Sequence, residues 1–293
     1  MTSRLQHFRS SLVVAALVSL WISGAAAQPA PASAGPPDPK LVDDLVAAGR
    51  ILADHGLLDG WRHVSVRHNR DPKRFLMSRG LSADLVTEKD ILEFDLESRP
   101  VDTRGLPMSA LFTERYIHGE IYKMRPDVVA VVHTHAPSLI PFGVTKVPLK
   151  PMYHRSAFIS FGIPVFEIRD RAGMTDMLIR NSTLGHDLAD VLGNHPAALM
   201  RGHGAVVTGP SLPRVVGRTI FLALNATLQA QAMSMGAPIT YMDPEEARKI
   251  EEREGHGLAR TLGGLEAQGH EQALAQPALV LERTLPIWNV AVT

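Results

Sequence analysis

The sequence predicts an α/β protein built on a mixed or antiparallel sheet, and three observations point to it. Two short runs rich in alternating apolar residues, His63–Arg67 and Arg74–Ser78, flank Asn69-Arg70-Asp71-Pro72, which has the composition of a hairpin turn. A second apolar pair, Ala197–Met200 and residues 205–208, is separated by Arg201-Gly202-His203-Gly204. Segments of helical periodicity lie around these strands, at residues 41–52, 113–124, 183–192 and 212–235.

At 293 residues, with 45% hydrophobic and 20% charged content, the chain has room for one large domain or two small ones around a sizeable core. Lys plus Arg equals Asp plus Glu at 30 each, so no net field draws the protein to nucleic acid or to an anionic membrane. The absence of cysteine excludes disulfides and thiolate chemistry, which leaves His, Asp and Glu as metal donors.

The first residues read as a processing signal. Arg4, His7 and Arg9 precede an apolar run over 12–22, and Ala25-Ala26-Ala27 supplies a small-x-small cleavage site before Gln28. The expectation is a cleaved signal peptide over 1–27 and a periplasmic or secreted protein with no membrane anchor after cleavage. Residues 28–39, rich in Pro and Ala with nothing to bury, read as an extended linker. The folded domain is assigned to 40–236 and a C-terminal extension to 237–293.

Each element has its own signal. Leu41, Val42, Leu45, Val46, Ile51 and Leu52 recur at helical spacing, and Gly56 stops that helix. Thr87 to Asp90 reads as a capped helical turn before the strand Ile91-Leu92-Glu93-Phe94-Asp95-Leu96. Residues 113–124 read as one helix that puts Glu114 and His118 on the same face and ends before Arg125-Pro126-Asp127. Residues 164–168 are strand-like. The extension begins with a charged helix near 244–254, continues through a Gly-rich stretch and ends apolar at Trp288; it is expected to pack on a neighbouring subunit.

The chemistry centres on Val128-Val129-Ala130-Val131-Val132-His133-Thr134-His135. On an extended backbone alternate side chains share a face, so His133 and His135 stand about 6–7 Å apart at Cα, a spacing that lets two imidazoles close on one metal ion. As an isolated pattern, His-x-His is more often a pair of ordinary loop histidines. His203, held between Gly202 and Gly204 just after an apolar strand, supplies a third imidazole. Three histidines from two segments leave a coordination position open, the form of a catalytic metal site.

Taken together, several pieces resemble the class II aldolase/adducin family from Leu41 to about Ala237. They are His63-Val64-Ser65-Val66-Arg67, Glu114 with His118 four residues on, Arg125-Pro126-Asp127 before Ala130-Val131-Val132-His133-Thr134-His135-Ala136, and Gly202-His203-Gly204. The resemblance implies a three-layer α/β/α fold around a mixed, largely antiparallel sheet, usually in a homotetramer with sites near subunit interfaces. It implies that His133, His135 and His203 bind a divalent metal, commonly zinc, with Mn, Co or Fe as other candidates. It also implies that Glu114 is the residue that moves a proton.

The substrate positions depart from the sugar-phosphate members. Where those carry a Gly-Asn pair, a Thr-Gly pair and paired serines, this chain has Arg62-His63, Arg79-Gly80 and Phe112-Thr113. Guanidinium pairs bidentately with carboxylates, and Phe112 offers a flat apolar face, so the expected substrate is a small carboxylate, aromatic or muconic in type. The motif set resembles the family's metal-dependent decarboxylases. In that reading Arg62 or Arg79 orients the carboxylate, Glu114 returns a proton to carbon, and His118 or His154, in Tyr153-His154-Arg155, assists. The alternatives are an aldolase or epimerase acting on a hydroxy-ketone or sugar phosphate, iron-dependent oxygenation, and a non-catalytic binding module of the adducin kind.

Overall fold

A computed structural model describes residues 29–257. It contains one seven-stranded sheet, in the order β3-β2-β1-β4-β7-β6-β5. The strands are β1 (His63–Arg67), β2 (Arg74–Ser78), β3 (Ile91–Asp95), β4 (Ala130–Thr134), β5 (Val165–Phe166), β6 (Ala197–Met200) and β7 (Gly204–Gly209). Every pairing is antiparallel except β5 with β6, so the sheet is mixed and largely antiparallel, as expected. The helices are α1 (Pro39–Asp54), α2 (Tyr116–Met124), α3 (Ile140–Val144), α4 (Arg169–Ala172), α5 (Ser182–Leu192), α6 (Leu212–Ser234) and α7 (Pro244–Gly257).

Strand alternation divides the core into two layers. Val64, Val66, Leu76, Ala130, Val132, Ala205 and Val207 point to one face and pack with Leu45 and Leu52 of α1 and Val215, Leu222 and Ala226 of α6. Phe75, Met77, Phe94, Val131, Ala198 and Val206 point to the other and pack with Ile117 and Ile121 of α2 and Leu188 and Leu192 of α5. This is the α/β/α sandwich. No helix among the described residues is long and apolar enough to cross a membrane.

Local chemistry sets the boundaries. Asp38 caps α1 by accepting from the Lys40 amide, Pro39 fits the first turn, and Gly56 at φ 67° turns the chain away. The segment expected to be one helix over 113–124 is broken. Thr113–Arg115 forms a tight turn with Glu114 at φ −89°, ψ 17°, and α2 starts only at Tyr116. Residues 32–38, expected to have nothing to pack on, lie against the sheet: Ser33 and the Ala34 amide bond Glu93, Arg74 bonds the Ala32 carbonyl, and the Asp38 amide bonds Asn69. Those partners on β2, on β3 and in the β1–β2 turn are polar, which an apolar pattern does not anticipate.

The first part of the extension packs on its own chain. Ala247 of α7 is fully buried, and Glu251 pairs with Arg214 of α6 at 2.6 Å. The Gly-rich stretch and Trp288 lie outside the described residues, as does the expected signal over 1–27. Opposite, α2 and α5 meet at Gly185, where a Cβ would sit 2.6 Å from the Tyr116 carbonyl and 2.9 Å from Glu120 Cγ. Gly185→Ala is expected to destabilise the protein by about 2 kcal/mol through overpacking, read as a lower midpoint in urea with an unchanged slope.

Candidate metal centre

Four side chains converge at the C-terminal end of β4. Strand register places His133 in β4 with its side chain toward the α2 layer, opposite His63 on β1 and Val206 on β7. His135 follows two residues on. His203 occupies the three-residue turn of the β6–β7 hairpin, where Gly202 takes φ 63° and the His203 amide donates to the Met200 carbonyl. Gly204 lets β7 run tight against β4, since a Cβ there would fall on the Thr134 carbonyl and within 3.0 Å of His135 Cα. The break before α2 swings Glu114 toward the same point.

One ligand atom from each of Glu114, His133, His135 and His203 lies within 4.8 Å of the other three. His133 Nε2 is 3.0 Å from His135 Nε2 and 3.4 Å from Glu114 Oε2, and His203 Nε2 is 3.3 Å from the same carboxylate oxygen. Outer contacts fix two of the rings. His133 Nδ1 donates to the Ala205 carbonyl at 3.2 Å, and His203 Nδ1 donates to the Met177 carbonyl at 3.0 Å. Carbonyls only accept, so both Nδ1 atoms carry the proton and both Nε2 atoms carry a lone pair. Glu114 is held from behind, with Oε1 accepting from the Ile179 amide at 2.9 Å.

This donor set fits a divalent cation. Two imidazole lone pairs face one carboxylate oxygen, and His203 Nε2 is buried without a hydrogen-bond partner. Burial pushes His135 down to about 3, leaving it a neutral donor. His and carboxylate donors suit zinc, manganese, cobalt or ferrous iron and do not choose among them.

The other residues singled out in the sequence divide into three groups. Arg62 and His63 border the centre: Arg62 is close enough to depress His135, its Nε is buried without a partner, and it pairs with Asp59 at 3.1 Å. His63 contacts the rings of His133 and Phe112. A small cavity of about 10 Å³ is lined by these two with Gly49, Ser78, Ala83 and Val86. Phe112 is buried with its ring on His63, and Thr113 is exposed.

His118 does not join Glu114. The break in the helix separates their directions, and His118 is fully buried with Nε2 on His63 and Nδ1 on Ser65. Arg79 is engaged elsewhere, its Nε on Asp90 at 2.7 Å within the capped turn that Thr87 closes. Gly80 is exposed, its amide bonded to Ala110. His154 is also exposed, with its ring against Tyr153, and its loop is pinned by Asn225 and Gln229 of α6 through Lys150, Met152 and Ser156.

Sequence reasoning missed the segment 177–179, whose main chain orients both His203 and Glu114. Met177 adopts φ 67°, a left-handed strain that a non-glycine residue sustains only where its surroundings enforce it. Backbone donors and acceptors leave no residue signature, so nothing in the sequence marked them.

A fold of this topology carrying three strand-end histidines and a glutamate is that of the class II aldolases. The chain belongs to the class II aldolase/adducin family, matching the model of the Class II Aldolase and Adducin N-terminal domain over residues 43–230. It is 35% identical over 209 residues to the protein named decarboxylase tropJ from Talaromyces stipitatus, covering 67% of this chain and 77% of that relative. It is 27% identical over 206 residues to 3,4-dihydroxyphthalate decarboxylase from Arthrobacter keyseri, covering 67% and 79%. Among solved structures, L-fuculose 1-phosphate aldolase from Glaciozyma antarctica superposes with a TM-score of 0.65 at 22% identity, over 80% of this chain and 90% of that one, a likeness of fold. The relatives named as decarboxylases support an enzyme of the lyase type.

Metal analysis of purified protein is expected to find substoichiometric metal in His203→Ala and Glu114→Gln. After chelation, zinc at a hundred times its Kd should stabilise the native protein by about 2.7 kcal/mol, and neither variant should gain as much at that concentration.

Proposed function

We propose that this protein is a divalent-metal-dependent decarboxylase of a hydroxylated aromatic or muconic-type carboxylic acid. The convergence of Glu114, His133, His135 and His203 within 4.8 Å, with Arg62 beside it, carries the reading. Similarity to two proteins named as decarboxylases, one of them acting on a dihydroxylated aromatic diacid by its name, supports it. A bound divalent ion supplies Lewis acidity toward neighbouring substrate oxygens.

The protein's own groups do the rest. Arg62 has a buried, unpartnered Nε and, among the described residues, only the half-exposed Asp59 as an ionic partner, so it can pair with an incoming carboxylate. Arg79 already pairs through Nε with Asp90 at 2.7 Å, an ion pair that competes with a substrate carboxylate for its charge. Glu114 enters the reaction as a carboxylate. It accepts the proton of a substrate hydroxyl, and the resulting oxyanion enriches the ring or enol carbon that bears the carboxylate. The carbon–carboxyl bond breaks, CO2 leaves without the bonding pair, and Glu114 gives its proton to that carbon. Solvent reprotonates the oxygen as product departs.

Incubation with Zn, Mn, Co or Fe and a panel of hydroxylated aromatic carboxylates is expected to release CO2 rather than an aldehyde fragment. An aldehyde product would sink the decarboxylase reading in favour of aldol cleavage. Arg62→Ala should lower kcat/KM by about ten- to hundredfold, the loss of a charge-assisted hydrogen bond worth about 1.5–3 kcal/mol. Arg79→Ala should lower stability and leave kcat/KM within about threefold, the half-kcal/mol scale of a substitution remote from the reacting groups.

A further inference from the structure

His63 borders the metal centre, yet the chemistry above gives it no task. It is 2% exposed, its ring centroid lies 5.3 Å from that of His133, and its Nε2 is buried with no hydrogen-bond partner. Behind it runs a continuous buried chain. His63 Nδ1 is 2.6 Å from His118 Nε2, His118 Nδ1 is 2.5 Å from Ser65 Oγ, and Ser65 Oγ is 2.8 Å from the Tyr122 hydroxyl. Tyr122 donates to the Val129 carbonyl at 3.3 Å.

The end of the chain sets its direction. We assign the phenolic proton of Tyr122 to the Val129 carbonyl, which can only accept; the Tyr122 oxygen then receives the Ser65 proton. Ser65 has no second proton, so its oxygen accepts from His118 Nδ1–H. Burial pushes His118 down to about 3, so the ring is neutral and its Nε2 carries a lone pair. That lone pair accepts His63 Nδ1–H. A neutral His63 then has its only proton on Nδ1 and a bare lone pair on the unpartnered Nε2.

We propose that His63 is the hydrogen-bond acceptor for a substrate hydroxyl, held as the Nδ1–H tautomer by the one-way chain of His118, Ser65, Tyr122 and the Val129 carbonyl. A fixed lone pair repels a carboxylate or phosphate oxygen and finds no proton on an ether, so the substrate must bring an O–H to this position. The inference rests on the proposed decarboxylase reading for its substrate class and deepens it: Arg62 takes the carboxylate and His63 takes the hydroxyl. His118, Ser65 and Tyr122 act as positioning residues. His118 therefore has a task other than assisting Glu114.

Tyr122→Phe tests the direction of the chain. Without the phenol, Ser65 is free to donate to His118 Nδ1, His118 then donates from Nε2 to His63 Nδ1, and the His63 proton moves to Nε2. Imidazole-nitrogen NMR of the full-length protein, before and after zinc loading, is expected to show His63 and His118 as Nδ1–H tautomers and both as Nε2–H in Tyr122→Phe. The native protein should bind a dihydroxybenzoate about ten- to hundredfold more tightly than its mono-methyl ether at the recognised hydroxyl, the cost of leaving a buried acceptor unpaired. That preference should collapse in Tyr122→Phe and in Ser65→Ala with zinc stoichiometry unchanged.

An Nε2–H tautomer of His63 in the native protein overturns the proposed polarity, and this spectrum decides the matter even if Tyr122→Phe fails to fold. Equal affinity for the hydroxyl and methyl ether ligands overturns the hydroxyl assignment. If both results come out as expected but no CO2 is released, the decarboxylase reading fails and the role of His63 stands.

Discussion

Two imidazole lone pairs aimed at one buried carboxylate oxygen form the constraint on which this structure turns. The Ala205 and Met177 carbonyls fix the proton positions of His133 and His203, and the Ile179 amide holds Glu114 from the far side. Left alone, such a cluster of acceptors is repulsive, and burial makes it more so. The fold nonetheless holds it in place with a hairpin turn, a left-handed Met177 and a broken helix. Each of these local departures from regular structure serves the geometry that a cation stabilises.

The same face of the sheet carries a second polar system. His63, Ser65, His118 and Tyr122 are buried among Phe75, Phe94 and Ile117, where an unpaired polar group would be costly. Their hydrogen bonds satisfy one another in sequence and leave a single atom, His63 Nε2, unsatisfied at the edge of the metal centre. Arg67 closes the other end, stacking on Tyr122 and bonding the Tyr122, Arg125 and Val128 carbonyls.

Much of the framework was legible because it rests on periodicity. The β1–β2 hairpin, the capped turn at Thr87, the strand before His133 and the glycine-flanked His203 all follow from alternation or turn chemistry, and the structure places them as read. The break at Glu114 was not legible, since residues 113–124 have ordinary helical propensity and tertiary pull on one carboxylate decides the matter. Arg79 and Arg62 looked equivalent as isolated cations; Asp90, eleven residues beyond Arg79, distinguishes them. The chain behind His63 was invisible because each link is a pairing across strand and helix that no local pattern encodes.

The arrangement of β6 and β7 also bears on how the site is assembled. Glu114, His133 and His135 come from a segment of about twenty residues, α2 feeding β4 through the short turn at Arg125, and contacts this local form early in folding. His203 arrives only when a hairpin some seventy residues later docks along β4, a pairing with a large loop-closure cost. The third imidazole and the β6–β7 hairpin therefore enter together. A partly folded chain holds an incomplete donor set, so full metal affinity is reserved for the native topology and the ion reports on whether the sheet has closed.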